Sequence, residues 1–421
     1  MKALTFSASI PQWLALKALG PLNRRLFYSG PLATVKLIDV PEPELPSPEW
    51  VKVKTLMTGF CASDLSLLLL KDSPTASPFT SFPCVMGHEI CGEVAEIGAD
   101  VGGIAVGDMV AIAPALSCVT RGIDPVCKPC ASGMFGACEN YAAGTLAPGM
   151  IIGLCSETSG GFAPSFVAHK SQIFKLPPGT PHEVGALIEP FSVGLQTVVN
   201  NRPETGDKVL VIGGGVIGCM IVRAMGALDM DCSVTVAEKS AFAAEQCKKA
   251  GADRVITGAD LLGEAVQITG AKRHKPMIGK DILMGGFDRI YDVVGSSKTL
   301  NTAMRCLAAQ GVISQVGIGH DVKLDLTPLW LKKQTLKGVF ACSYMTYKGR
   351  KKHMFEVAID LVCEKKIPLA DMITHKFVLD DFKKMIETNL DKERHKAIKT
   401  VVTFHNSAHN RPRMTGMGMD I

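Results

Sequence analysis

The stretch Lys208-Val209-Leu210-Val211-Ile212-Gly213-Gly214-Gly215-Val216-Ile217-Gly218 decides the fold. An aliphatic run reads as a strand buried on both faces, and glycines at G-x-G-x-x-G spacing then open a helical stretch, Val216 to Leu228. A glycine fingerprint alone is weak, but here Glu238 stands just past the next strand-like run, Ser233 to Val236. In that context Gly213 permits the tight turn, Gly215 lets backbone amides approach a pyrophosphate, and Gly218 lets helix and strand pack closely. Val216 and Ile217 open the helix, whose N-terminus favours phosphate. Glu238 is suited to accept hydrogen bonds from the adenosine ribose and to repel a 2′-phosphate, so NAD is expected; Lys239 beside it leaves NADP open.

Around this loop, from about Val184, short apolar runs alternate with helix-compatible segments, Arg289 to Val294 and Gly311 to Val316 being further strands. That texture predicts a doubly wound parallel sheet of Rossmann type over 184–344, with Ala271 to Gly286 an inserted surface loop. Before it, from Pro31 to about Pro181, short alternating runs such as Val35 to Ile38 and Trp50 to Lys54 are broken by Gly and Pro, the pattern of an antiparallel, barrel-like β domain. Lys71 to Pro83 reads as a surface loop near the site. A first strand, Lys2 to Phe6, precedes an inserted hairpin or helix over 7–30, while strand-like pieces at Ile373 to Leu379 and Lys399 to Phe404 follow a helix-like run, Lys352 to Lys365. The β domain is therefore expected to comprise 1–183 and 345–404, followed by a disordered Gly-, Met- and Asn-rich tail, 405–421.

At 421 residues the chain is long enough for about two domains, and 47% hydrophobic with 20% charged residues is a globular composition. A net charge of +5 without a dense basic run and interleaved aromatics excludes nucleic acid as the expected partner. No apolar run approaches bilayer-spanning length, and the basic N-terminus lacks the uninterrupted apolar stretch and cleavage site of a secretory signal. Most of the 14 cysteines, Cys219 and Cys306 among them, sit in apolar segments as buried free thiols. A reducing cytoplasm suits them.

Two constellations carry chemistry. Cys61, His88 and either Glu89 or Glu189 offer the three ligands of a catalytic zinc, with a position left open. Glu189 lies in an otherwise apolar run, where an uncompensated carboxylate is costly. Cys127, Cys130 and Cys138 have the spacing of structural-zinc ligands.

These residues bring the chain to a resemblance. Gly59-Phe60-Cys61-Ala62-Ser63-Asp64, Gly87-His88-Glu89-Ile90-Cys91-Gly92-Glu93-Val94, Gly160-Gly161-Phe162-Ala163, Ala186-Leu187-Ile188-Glu189-Pro190-Phe191-Ser192-Val193-Gly194 and the glycine loop occur in the order seen in the zinc-containing medium-chain dehydrogenase/reductase superfamily. The chain resembles its polyol and threonine dehydrogenase branch. The resemblance implies a GroES-like β-barrel domain plus a Rossmann domain with the site between them. It also implies Cys61 and His88 as zinc ligands, a third contact from Glu89 or Glu189, and Ser63 at the head of a proton relay. A homo-oligomer, dimer or tetramer, is the usual family state. A second, structural zinc is implied, but Asp124 occupies the position of its first cysteine. Either Asp124 ligates through oxygen, Cys118 swings in, or the lobe is metal-free. Pro164-Ser165 is a further departure, at loop contacts near the cleft.

The expected activity is hydride transfer between a secondary alcohol, polyol or amino alcohol and a nicotinamide cofactor, with zinc as Lewis acid and Ser63 passing the proton towards solvent. The rivals are a zinc-free quinone or enoyl reductase of the same superfamily and a non-catalytic NAD(H)-binding sensor. Retention of Cys61, His88, Glu89 and Glu189 argues against the first, and Ser63 against the second.

Overall fold

Strand Lys208–Ile212 stands inside a six-stranded sheet of a computed structural model that describes residues 1–318 and 321–404. Its neighbours run in the order Arg254–Ile256, Ser233–Ala237, Lys208–Ile212, Phe287–Asp292, Leu307–Gln315, Thr335–Gly338, and every pairing is parallel. Val209, Leu210 and Val211 are fully buried, as continuous apolar strands must be when helices cover both faces. The strand order turns back between Lys208–Ile212 and Phe287–Asp292, which opens a crevice at the carboxyl ends of the strands. Arg254–Ile256 is too short, and Thr335–Gly338 too short and too polar, to stand out in the sequence.

The second sheet is antiparallel apart from its outermost pair and curls as a barrel. Its long strand Trp50–Phe60 pairs with Glu89–Ile97, with Ser165–His169 and with Lys399–Thr403. The last pairing returns the end of the described chain to the start of the fold, with Val401 opposite Gly59 and Thr400 opposite Phe60. Helix His182–Asn200 packs against both Glu89–Ile97 and helix Val216–Ala227, so it spans the seam between barrel and parallel sheet.

The insertion after strand Lys2–Phe6 is a helix, Ile10–Leu19, capped by Ser9 and Gln12 and anchored by the fully buried Leu16. Loop 71–83 contains a 3₁₀ turn, Pro74–Phe79. The segment 271–286, expected as an irregular loop, is instead a β-hairpin, Lys272–His274 against Ile282–Met284, because Leu283 is drawn into the core beside Phe287 and Leu307. The tail expected over 405–421 lies outside the described residues.

Candidate active site

Cys61 ends the strand Trp50–Phe60 and begins the helix Ala62–Leu68. Asp64, one turn on, turns back: its Oδ2 accepts the Cys61 backbone N–H at 2.9 Å, and its Oδ1 lies 3.6 Å from His88 Nδ1. One buried carboxylate thus holds the Cys61 backbone by a hydrogen bond and places its negative charge beside the His88 ring. His88 directly precedes the strand that Glu89 opens, and the donor atoms of Cys61, His88 and Glu89 all lie within 4.8 Å of one another. A thiol, an imidazole and a carboxylate so gathered could hold a zinc ion.

The electrostatics fit that reading. Burial disfavours the imidazolium of His88, yet Asp64, Cys61 and Glu189 outweigh it and hold its pKa well above the ordinary value. Burial also raises Asp64, with His88 opposing. Glu189, on helix His182–Asn200, is raised to about 7 by burial and by the nearby charge of Glu89. It faces the same centre without belonging to the group within 4.8 Å. Ser63 sits half-buried in the first turn of the helix after Cys61.

Lys399 has no counterpart among the residues singled out from sequence. It is fully buried, ion-paired with Glu89, and donates to the Phe60 carbonyl at 3.2 Å. Only Gly59 leaves room for this pair, since a Cβ there would lie 1.9 Å from Glu89 Oε2 and 2.7 Å from Lys399 Cε. Asp64 was legible as part of the Cys61 segment. Lys399 lies 338 positions from Cys61 and gave no local signal beyond a lysine in an apolar strand.

In the cysteine lobe the sequence leaves Asp124 and Cys118 as alternatives beside the three spaced cysteines. Cys118, not Asp124, stands with Cys127, Cys130 and Cys138, their sulfurs within 4.8 Å of one another. Asp124 is exposed on the turn before Pro125, and its carboxylate is no member of the group. The fully buried Cys118 has its sulfur 3.6 Å from that of Cys138. Burial opposes its thiolate, but the Cys127 N–H at 3.4 Å and the Asn140 amide at 3.2 Å donate to the sulfur, and its pKa comes down to about 7. Cys127 and Cys138 likewise accept from backbone N–H groups of Glu139 and Asn140. Four sulfurs within 4.8 Å of one another, three of them already accepting N–H groups, could hold a soft metal ion. Beneath them Arg121, fully buried, donates to the carbonyls of Leu116, Ala143, Leu146, Ala147 and Gly149 and so ties the lobe together.

The glycine loop after strand Lys208–Ile212 turns tightly. Gly213 has φ +102°, and a Cβ on Gly218 would strike the Gly213 carbonyl oxygen at 2.0 Å. Gly215 caps the helix Val216–Ala227 and has open space above its Cα, while Val216 and Ile217 are half-buried in the first turn. Glu238 accepts from the N–H groups of Gly214, Lys239 and Ser240 at 2.6, 2.7 and 2.8 Å, which sets its carboxylate beside the loop.

The comparisons with known proteins agree with this architecture. Residues 47–178 match the alcohol dehydrogenase GroES-like domain, and residues 214–363 the zinc-binding dehydrogenase domain. The chain is 30% identical to a sorbitol dehydrogenase of Arabidopsis thaliana, over 79% of this chain and 83% of that protein. It is also 30% identical to an L-threonine 3-dehydrogenase of Pyrococcus horikoshii, over 81% and 86%. Its fold matches that of 2R,3R-butanediol dehydrogenase from Bacillus subtilis with a TM-score of 0.70 at 23% identity, covering 96% of this chain and 99% of that one. A GroES-like barrel joined to a Rossmann sheet, with these relatives, makes the chain an enzyme and a member of the zinc-binding alcohol dehydrogenase family.

Proposed function

We propose that this enzyme oxidises a secondary hydroxyl of a polyol or amino alcohol reversibly, using a zinc ion held by Cys61, His88 and Glu89 and NAD held by the glycine loop. The observation that carries the reading is the convergence of those three donors within 4.8 Å, with Asp64 behind His88 and Glu189 facing them. When bound, zinc supplies Lewis acidity to the alcohol oxygen, and the nicotinamide supplies the hydride acceptor. Asp64 places a negative charge beside the ring of His88. Ser63 hydrogen-bonds the substrate hydroxyl and passes its proton outward. Gly213, Gly215, Val216, Ile217 and Gly218 receive the pyrophosphate at the helix N-terminus, and Glu238 selects the unphosphorylated adenosine ribose. Glu189 is the alternative third ligand, a carboxyl that burial and the nearby charge of Glu89 raise to about 7.

A second zinc in the Cys118, Cys127, Cys130 and Cys138 lobe would be structural, because all four positions of a tetrahedron are protein sulfurs. We assign 1–183 with 345–404 to the catalytic unit and 184–344 to the cofactor unit. Substrates related to those named for the sorbitol and threonine dehydrogenase relatives suit the reading, as do a homo-oligomer and a cytoplasmic setting. Among the described residues no helix is long and apolar enough to cross a membrane.

The test is a screen of polyols, amino alcohols and simple secondary alcohols with NAD and with NADP, repeated after chelation and after zinc is returned. Turnover that needs metal and returns with zinc is expected. Turnover that persists unchanged without metal overturns the reading in favour of a zinc-free reductase, and binding of NAD without turnover of any class favours the sensor.

A further inference from the structure

Between helix Leu261–Thr269 and strand Phe287–Asp292 the hairpin Lys272–His274, Ile282–Met284 forms a two-stranded ribbon separate from both main sheets. Its base is fixed. Leu283 is fully buried, and its carbonyl accepts from the buried Lys332 ammonium at 3.1 Å. Arg273 is held by Asp281 at 2.7 Å and by Asp260, the cap of the preceding helix, at 3.1 Å. The tip has no such support. Every residue from 272 to 280 is exposed, and Met277 and Ile278 stand 103% and 94% exposed.

Met277 and Ile278, adjacent and raised together at the end of a braced ribbon with polar residues on both sides, form an exposed apolar patch of the kind that marks an interaction site. The charge around them says with what partner. Lys272, Lys275 and Lys280 are exposed and take part in no ion pair found among the described residues, while Asp260 and Asp281 are engaged by Arg273. An apolar tip inside a collar of unneutralised ammonium groups complements a surface that is hydrocarbon within and anionic at its face. A nucleic acid would call for a platform of large aromatic rings to stack on bases, and residues 271–281 hold no Phe, Tyr or Trp. A second copy meeting this one tip to tip would set like charges against each other.

We propose that the hairpin docks the enzyme on a bilayer bearing anionic phospholipid, with Met277 and Ile278 entering the acyl boundary and Lys272, Lys275 and Lys280 lying against headgroup phosphates. This inference is independent of the catalytic reading, since no residue of the hairpin belongs to the proposed site.

The experiment is flotation of the full-length protein with vesicles of phosphatidylcholine, with or without phosphatidylserine, at low and high salt. Salt-sensitive binding to the anionic vesicles alone is expected. Lys275→Gln with Lys280→Gln should weaken it by roughly five-fold per lysine, and Met277→Asp with Ile278→Asp should abolish it. Both pairs lie in exposed positions, and an unchanged thermal midpoint for either shows that the fold is intact. Failure of the parent protein to float with anionic vesicles overturns the proposal, as does equal binding by parent and both variants. Tighter binding to single-stranded RNA than to vesicles, or self-association that the variants abolish without any vesicle binding, overturns it as well.

Discussion

Lys399, on the last described strand, forms a fully buried ion pair with Glu89, on the strand that follows His88, and the backbone of Gly59 is the space through which the two meet. The pair ties the end of the chain to the proposed metal centre. Glu89 and Cys61 favour the ammonium of Lys399 strongly enough to raise its pKa despite burial. It also sets a limit on Glu89, which must share its carboxylate between Lys399 and any metal.

In the metal-free protein, removing one partner leaves the other charged and uncompensated in the interior. Lys399→Met should therefore cost about 3–5 kcal/mol of stability, read as a shift in the denaturant midpoint. Lys399→Arg, which keeps the charge, should recover part of it. Gly59→Ala should displace the pair and lower turnover by more than about tenfold with a smaller effect on stability. Wild-type stability in Lys399→Met would show that the pair contributes nothing.

The cysteine lobe makes a sharper prediction. Cys118→Ser should reduce bound zinc from two ions per chain to one, while Asp124→Ala leaves the content unchanged, because Cys118 and not Asp124 stands among the sulfurs. Elemental analysis of the purified variants decides it. Zinc lost from Asp124→Ala but retained in Cys118→Ser would reverse the assignment.

Cofactor choice should depend on Glu238. Its carboxylate already accepts three backbone N–H groups around the loop, so Glu238→Ala removes a ribose acceptor and loosens Gly214 together. NAD affinity should fall by roughly 10- to 100-fold, as for loss of a charged hydrogen bond, and NADP should be discriminated against less. An unchanged ratio of the dissociation constants of NADH and NADPH, measured by the fluorescence of the reduced nicotinamide, would remove the role.

His353 supplies a pH dependence away from the proposed metal centres. Its ring stacks on Phe174 at 4.7 Å, its Nδ1 accepts the Phe355 N–H at the start of helix Met354–Lys365, and burial lowers its pKa to about 4. The unfolded chain binds this proton near pH 6.5 and the folded chain only near 4, so the unfolded state holds more protons between those values. The stability contributed by the neutral ring is complete above about pH 6.5 and declines as pH falls towards 4, by about 3 kcal/mol in all. His353→Asn, which can still cap the helix, should flatten that part of the stability–pH curve. An equal slope in parent and variant would exclude His353 as the source.

The sequence alone was sufficient for both folds and for the order of the site motifs. The apolar strand before Gly213, the glycine spacing and the position of Glu238 are local patterns, and a local pattern survives in one dimension. Cys61, His88 and Glu89 were recognisable for the same reason, each lying in a short segment with its own periodicity. What tertiary structure decided was which distant groups share a dielectric and a volume. Lys399 meets Glu89 only because the final strand pairs with Trp50–Phe60, Cys118 joins three other sulfurs only because its loop folds back onto theirs, and the hairpin over 272–284 forms only because Leu283 is buried. Coulomb attraction, metal-ligand separation and burial depend on distance in space, and chain folding makes that distance unrelated to separation in sequence.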